Sequence, residues 1–367
     1  MHPELDRLRR RPDVEAPGLL AVDAADRLIL DASLDARRTA GAGQLCVIDD
    51  AYGALTVGSA LAGAEQIRVH QDAVTGERAL AANAAELAPS ASYRSLSLSR
   101  ELVHGATVVL LRLPRSLERL NDLAGIIAAY ADPDVTVFAG GRIKHMSVAM
   151  NDVLSRRFAR LDITHARQKS RVLIARAPRD GADPSPRRAL HDGLTVCAYG
   201  GAFAGASIDV GTRLLLSHLP TPRETPAIDM ACGTGIVAAT WANRFPEARV
   251  IASDQSAVAV ASAWETAAAN GVADRVQVMR DDMLGSQPDA SADLIALNPP
   301  FHSGAAVTDR IAPRMFADAA RVLMPGGELW TVWNSHLGYR AALERTVGPT
   351  RQVARNAKFT LTASTRR

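Results

Sequence analysis

Asp293-Leu294-Ile295-Ala296-Leu297-Asn298-Pro299-Pro300-Phe301-His302 is an apolar run brought to an abrupt stop. The run reads as a buried strand, and neither proline can donate to a sheet ladder, so the strand must end there. Each residue before a proline is pushed to extended geometry, which stiffens the turn. The stop leaves an amide side chain, a rigid carbonyl and an aromatic ring at the carboxyl end of a strand. That edge is where open α/β sheets bind ligands. The plain structural alternative is a Pro-Pro turn, with Asn298 as turn former and Phe301 in the core.

Upstream the strand–turn–helix pattern recurs. Residues 227–231 read as a strand, Cys232-Gly233-Thr234-Gly235 as a glycine turn, and 236–245 as a helix. Glycine lets the backbone approach a ligand, and a helix start offers free N–H groups. The pattern is not the dinucleotide G-x-G-x-x-G, and Asp229, six residues before Gly235, would repel a pyrophosphate. Asp229 suits a ligand with a cationic amine; a tight turn with no ligand is the alternative. The next strand, 249–254, ends in Asp254, placed to accept from ribose hydroxyls. After a strand over 275–279, Asp282 could accept from an adenine amino group, with Asp281 as the competing acid. Helices are expected over 211–219, 257–270, 309–323 and 339–347, with closing strands over 328–333, 350–354 and 359–362.

The first half follows the same grammar. Strands are expected over 44–50, 66–72, 107–113, 135–138 and 171–175, and helices over 77–87, 117–130 and 148–161. The stretch 177–193, with three prolines and three aspartates, reads as a connection. The repeating pattern predicts α/β architecture, with parallel sheets covered by helices on both faces. The division is residues 1–177, a linker over 178–193, and residues 194–367. Spacings repeat between halves: Asp49 to Asp72 spans 23 residues and Asp229 to Asp254 spans 25. We read a duplication whose first copy has lost its chemistry. Ala51-Tyr52-Gly53-Ala54 stands for the glycine turn, and Arg112-Leu113-Pro114 for Asn-Pro-Pro.

Formal charge is only +3 over 367 residues, and three lysines leave arginine carrying nearly all the positive charge. Residues 153–191 hold ten basic side chains against three acids. Arginine forks suit phosphate, so a polyanionic partner competes with a merely solvated surface. Three scattered cysteines (Cys46, Cys197, Cys232) argue against a disulfide framework or a metal site. A charged N-terminus, and no apolar run near ~20 residues, predict a cytoplasmic protein with no membrane span.

A glycine turn, acids after successive strands, and Asn-Pro-Pro-Phe after the fourth form a specific constellation. Residues 200–367 resemble class I S-adenosylmethionine-dependent methyltransferases, above all the bacterial ribosomal RNA guanine-N2 methyltransferases. The resemblance rests on Phe203 with Ile208-Asp209-Val210-Gly211, on 229–235, on Asp254 and on 298–302. Within that family Val307-Thr308-Asp309, Met315-Phe316, Asn334-Ser335-His336-Leu337, Asn356, Lys358 and Phe359 look like the large-subunit type. Ala231 stands in place of a common first glycine, and Ala204 and Ser207 depart from more usual residues. The first half resembles the family more weakly, through Gly53-Ala54-Leu55 and 169–174.

The resemblance implies two tandem methyltransferase-like (Rossmann-like) domains with seven-stranded, mostly parallel sheets, the first degenerate and docking RNA. It implies S-adenosylmethionine as cofactor, held by Phe203, Asp229, Gly233, Gly235, Asp254 and Asp282, with no metal. Asn298, Pro299, Pro300 and Phe301 would form the catalytic turn. Arg156, Arg157, Arg160, Arg167, Lys169 and Arg171 are candidates for contact with ribosomal RNA, and a monomer is expected. The exocyclic amine of guanine has its lone pair delocalised into the ring. Acceptors at the Asn298 oxygen and the Pro299 carbonyl would let it pyramidalise toward a sulfonium methyl, while Phe301 stacks on the base. A neutral amide acceptor suits any such amine, so adenine N6 and a protein glutamine amide stay open. A non-catalytic RNA-binding assembly factor is a third reading.

Overall fold

The computed structural model describes residues 3–223, 225–300 and 305–367. The chain divides into two units, Met1–Ser185 and Pro186–Arg367. In the first unit the strands are β1 (Leu45–Ile48), β2 (Ile67–His70), β3 (Tyr93–Ser95), β4 (Val108–Arg112), β5 (Thr136–Arg142), β6 (Phe158–Ile163) and β7 (Ser170–Pro178). They form one sheet in the order β3-β2-β1-β4-β5-β7-β6. β1 to β5 pair in parallel, and β7 runs antiparallel to both neighbours.

The second unit opens with a hairpin, β8 (Arg187–His191) and β9 (Leu194–Ala198). Its sheet comprises β10 (Ala227–Met230), β11 (Val250–Asp254), β12 (Val276–Arg280), β13 (Ala292–Leu297), β14 (Leu323–Asn334), β15 (Thr350–Arg355) and β16 (Phe359–Thr365). The order β12-β11-β10-β13-β14-β16-β15 repeats that of the first unit, again with the second-to-last strand, β16, antiparallel to both its neighbours. Strands buried on both faces explain their continuous apolar runs. In β13, Leu294 and Ala296 join one core cluster while Ile295 and Leu297 join the other. In β4, Val109 and Leu111 divide from Val108 and Leu110 in the same way.

Four expectations are corrected. The helix expected over 148–161 ends at Arg157, and Phe158–Ile163 is β6. Phe158 is fully buried, and β6 pairs along the outer edge of β7, which would otherwise be unpaired. Arg187–His191, read as connecting chain, is a strand: Asp192 (φ 49°) and Gly193 (φ 83°) make a two-residue turn into β9. Strand β3 and the short helix Arg100–Val103 were not expected.

The fourth correction concerns the repeat. Met230 pairs with Leu297 as Ile48 pairs with Leu111, so Asn298 corresponds to Arg112 and Asp229 to Val47. Ser253 beside Met230 matches His70 beside Ile48, so Asp254 corresponds to Gln71. The left-handed residues agree: Ala231 (φ 57°) with Asp49 (φ 59°), and Gly235 (φ 71°) with Gly53 (φ 95°). Asp49 and Asp72 are therefore not the counterparts of Asp229 and Asp254. At the position of Asn298, the Arg112 guanidinium donates to Asp23 (2.8 Å) and Asp26 (2.6 Å), in and beside the N-terminal cap of the helix Ala24–Ala32.

Candidate active site at the carboxyl end of the second sheet

β10 delivers Asp229 into the core, where its Oδ2 accepts from the Ala238 amide at 3.0 Å. That bond ties the strand to the helix Ile236–Arg244. Burial raises the Asp229 carboxyl from the usual 3.8 to about 7. Between strand and helix the chain passes through Ala231, Gly233 (φ 54°) and Gly235 (φ 71°), all left-handed. A Cβ on Gly235 would lie 2.7 Å from the Ala263 Cβ and 2.9 Å from its Cα, so the helix Ala257–Ala269 requires glycine there. A Cβ on Gly233 would meet nothing within 4 Å.

Asp254, ending β11, accepts from the Gly233 amide at 3.0 Å and the Ser256 amide at 2.9 Å. It thus fixes the turn. Beyond β12 the two competing acids separate. Asp281 is 4% exposed and its oxygens accept from the amides of Asp282 (2.8 Å) and Ser286 (2.6 Å), which shapes its own loop. Asp282 is half-buried.

β13 lies between β10 and β14, with Leu297 paired to Met230 and Thr331, so Asn298 emerges at the centre of the sheet edge. Pro299 is buried and Pro300 exposed; Phe301 and His302 lie outside the described residues. The Asn298 Nδ2 donates to the Thr212 Oγ1 at 3.0 Å and toward the Asp209 Oδ2 at 3.4 Å. Its Oδ1 is buried and has no hydrogen-bond partner among the described residues. A buried acceptor left unpaired costs ~1–3 kcal/mol, so it marks a place where a donor is expected.

Phe203, Asp209, Thr212, Asp229, Gly233 and Asn298 line one cleft, together with Ala204, Ser207, Ile208, Ala231, Cys232 and Thr234. Its empty space is about 480 Å³, part of it open to solvent. Of the expected cofactor residues, Phe203, Asp229 and Gly233 share this cleft with Asn298, and Phe203 is 51% exposed. Gly235, Asp254 and Asp282 flank it without lining it. Asp209 and Thr212, to which the sequence assigns no role, also join the site. Their contact with Asn298 spans nearly ninety residues and has no local signal.

The six basic candidates belong to the first unit. Arg156 and Arg157 end the helix Val148–Arg157, Arg160 lies on β6, and Arg171 on β7. Arg160 and Lys169 are exposed, whereas Arg157 donates to the Asp180 carbonyl (2.8 Å) and Arg167 pairs with Asp31. Among the described residues no group of three or more His, Cys, Asp or Glu could hold a metal, and no helix is long and apolar enough to cross a membrane. All three cysteines are free and buried.

Residues 193–363 match the model of the methyltransferase small domain, and residues 2–179 that of the RLMG N-terminal domain. A protein of Shewanella amazonensis named ribosomal RNA large subunit methyltransferase G is 34% identical, covering 98% of this chain and 95% of that protein. Proteins of the same name from Pseudomonas paraeruginosa (35%, covering 96% of each) and Streptomyces avermitilis (36%, covering 96% and 94%) are similar. The T. thermophilus 16S rRNA N2 methyltransferase RsmC, solved with AdoMet and guanosine, superposes with a TM-score of 0.77 over 100% of both chains. At 20% identity that likeness establishes the fold of two tandem methyltransferase-like units. With full-length identity above a third and both halves matched, the chain belongs to the ribosomal RNA large subunit methyltransferase G family.

Proposed function

We propose that the second unit transfers the methyl group of S-adenosylmethionine to the exocyclic N2 amine of a guanine in large-subunit ribosomal RNA. The observation that carries this reading is the unpaired, buried Asn298 Oδ1 in the same cleft as Asp229 and Gly233. The donor set fits the cofactor. A buried acid with a raised pKa is stabilised by a cationic amine, and the left-handed turn leaves room for a ligand against its backbone. Asp229 would face the amine side, Asp254 would accept from ribose hydroxyls, Asp282 from the adenine amino group, and Phe203 would cover the cleft. Gly235 holds the turn against its helix. When bound, the cofactor supplies an electrophilic methyl on a sulfonium.

The Asn298 Oδ1 would accept one proton of the guanine amine and the Pro299 carbonyl the other. Held this way, the nitrogen pyramidalises and its lone pair becomes directional. Phe301 would stack on the base, worth ~1–3 kcal/mol. The base must be presented single-stranded or flipped from its helix. No side chain needs to act as a general base, since the proton can pass to water after transfer. In the first unit, Arg156, Arg157, Arg160, Arg167, Lys169 and Arg171 would contact RNA phosphate.

The test supplies methyl-labelled cofactor and deproteinised 23S rRNA, followed by digestion to nucleosides. Label is expected in N2-methylguanosine. Asn298→Ala is expected to lower kcat on the order of 10²–10³-fold, the usual cost of one oriented transition-state hydrogen bond. Label in adenosine or in protein would overturn the assignment.

A further inference from the structure

An asparagine amide can present either its oxygen or its NH2 to a cleft, and the two orientations fill nearly the same volume. Only the oxygen serves an amine that must give up hydrogen bonds. Something must therefore decide which way Asn298 points, and the hydrogen bonds around Asp209 do so. The carboxylate of Asp209 is an acceptor only. Its Oδ1 receives the Gly211 amide at 2.8 Å and the Thr212 amide at 3.3 Å, capping the helix Val210–Leu216, so it cannot turn. Its Oδ2 receives the Thr212 hydroxyl. That hydroxyl hydrogen is thereby spent, and the lone pairs of Thr212 Oγ1 are what remain for Asn298.

At Asn298 both neighbours consequently offer acceptors, Thr212 Oγ1 at 3.0 Å and Asp209 Oδ2 at 3.4 Å. The NH2 meets them favourably; the reversed amide would set its oxygen against a carboxylate. Gly211, between the two, leaves little space for a side chain: a Cβ would lie 3.0 Å from the Phe359 ring. We propose that Asp209 and Thr212 are positioning residues for methyl transfer, forming a directed chain from the Asn298 amide through the Thr212 hydroxyl to the Asp209 carboxylate that turns the Asn298 oxygen toward the substrate amine. Donation toward an anion also draws amide electron density onto the oxygen and makes it the stronger acceptor. The inference rests on the methyl-transfer reading above, with Asn298 as the acceptor.

Asp209→Asn tests it, because an asparagine keeps an oxygen to cap the helix but offers Asn298 a donor. The orientation bias is then lost without removal of any atom from Asn298. Steady-state rates on rRNA are compared for wild type, D209N, N298A and the double variant. D209N is expected to lower kcat roughly 100-fold. The double variant should be no slower than N298A within about threefold, because residues acting as one unit are not additive. A role confined to capping the helix would instead multiply the two losses. Thr212→Val supplies the same comparison should D209N fold poorly, and Thr212→Ser, which keeps the hydroxyl, should recover most of the rate that T212V loses. The inference is overturned if D209N and T212V keep kcat within threefold of wild type, or if their losses multiply with that of N298A. A fully active N298A would instead bring down the proposed function itself, so the two failures are told apart.

Discussion

Asp229 illustrates how one residue links stability to binding. Its carboxyl, raised by burial to about 7, holds a proton in the folded cofactor-free chain that it releases near 3.8 when unfolded. Between those values the folded state binds more protons. The contribution of this group is therefore full at low pH, declines as pH rises toward about 7, and is flat above. A cationic ligand reverses the preference and expels the proton. Titration calorimetry of S-adenosylmethionine binding at pH 7 should give enthalpies that differ between buffers of different ionisation heat, with proton release. Asp229→Asn should abolish that buffer dependence and weaken binding. Asp229 was readable in the sequence as an acid within the strand that leads into the glycine turn. The orientation of Asn298 was not, because Asp209 lies 89 residues away and only the folded sheet edge brings them together.

Turns and strands behave according to what packs on them. Gly235→Ala must place a methyl against the backbone of Ala263 in a left-handed conformation, and should destabilise the second unit by about 2 kcal/mol or more. Gly233→Ala carries only the conformational cost, about 1 kcal/mol. Thermal unfolding of the two variants checks the ranking; equal losses would mean that Ala263 yields. Most elements were legible because apolar runs and glycine punctuation marked them. The hairpin at Asp192-Gly193 was also legible, as an Asp-Gly pair, but three nearby prolines drew the reading toward a connection. Phe158–Ile163 was not legible. Its helix-like sequence yields to pairing with β7, which is distant information.

Each unit has its own pair of core clusters, one on either face of its sheet, and each cluster draws its residues from one unit alone. Residues 186–367 expressed alone should unfold cooperatively and bind S-adenosylmethionine, whereas 1–185 should fold without binding it. Circular dichroism melts with calorimetry decide this, and a fragment 186–367 without a cooperative transition would refute it. The repeat of the strand order was legible from the alternation of strands and helices, but the acids of the two halves do not correspond. Asp49 and Asp72 sit two residues and one residue past the true counterparts, Val47 and Gln71, a shift only strand register reveals.

Arg112 carries a consequence for the stability of the first unit. It occupies the place of Asn298 and is tied to Asp23 and to Asp26, which is only 5% exposed and which burial raises to about 6. Replacing Arg112 with asparagine would strand two neighbouring carboxylates, a loss of ~3–5 kcal/mol for a broken buried pair. An asparagine at 112 would therefore need matching changes at Asp23 and Asp26, because in the first unit an ion cluster fastens the sheet edge that in the second unit carries Asn298.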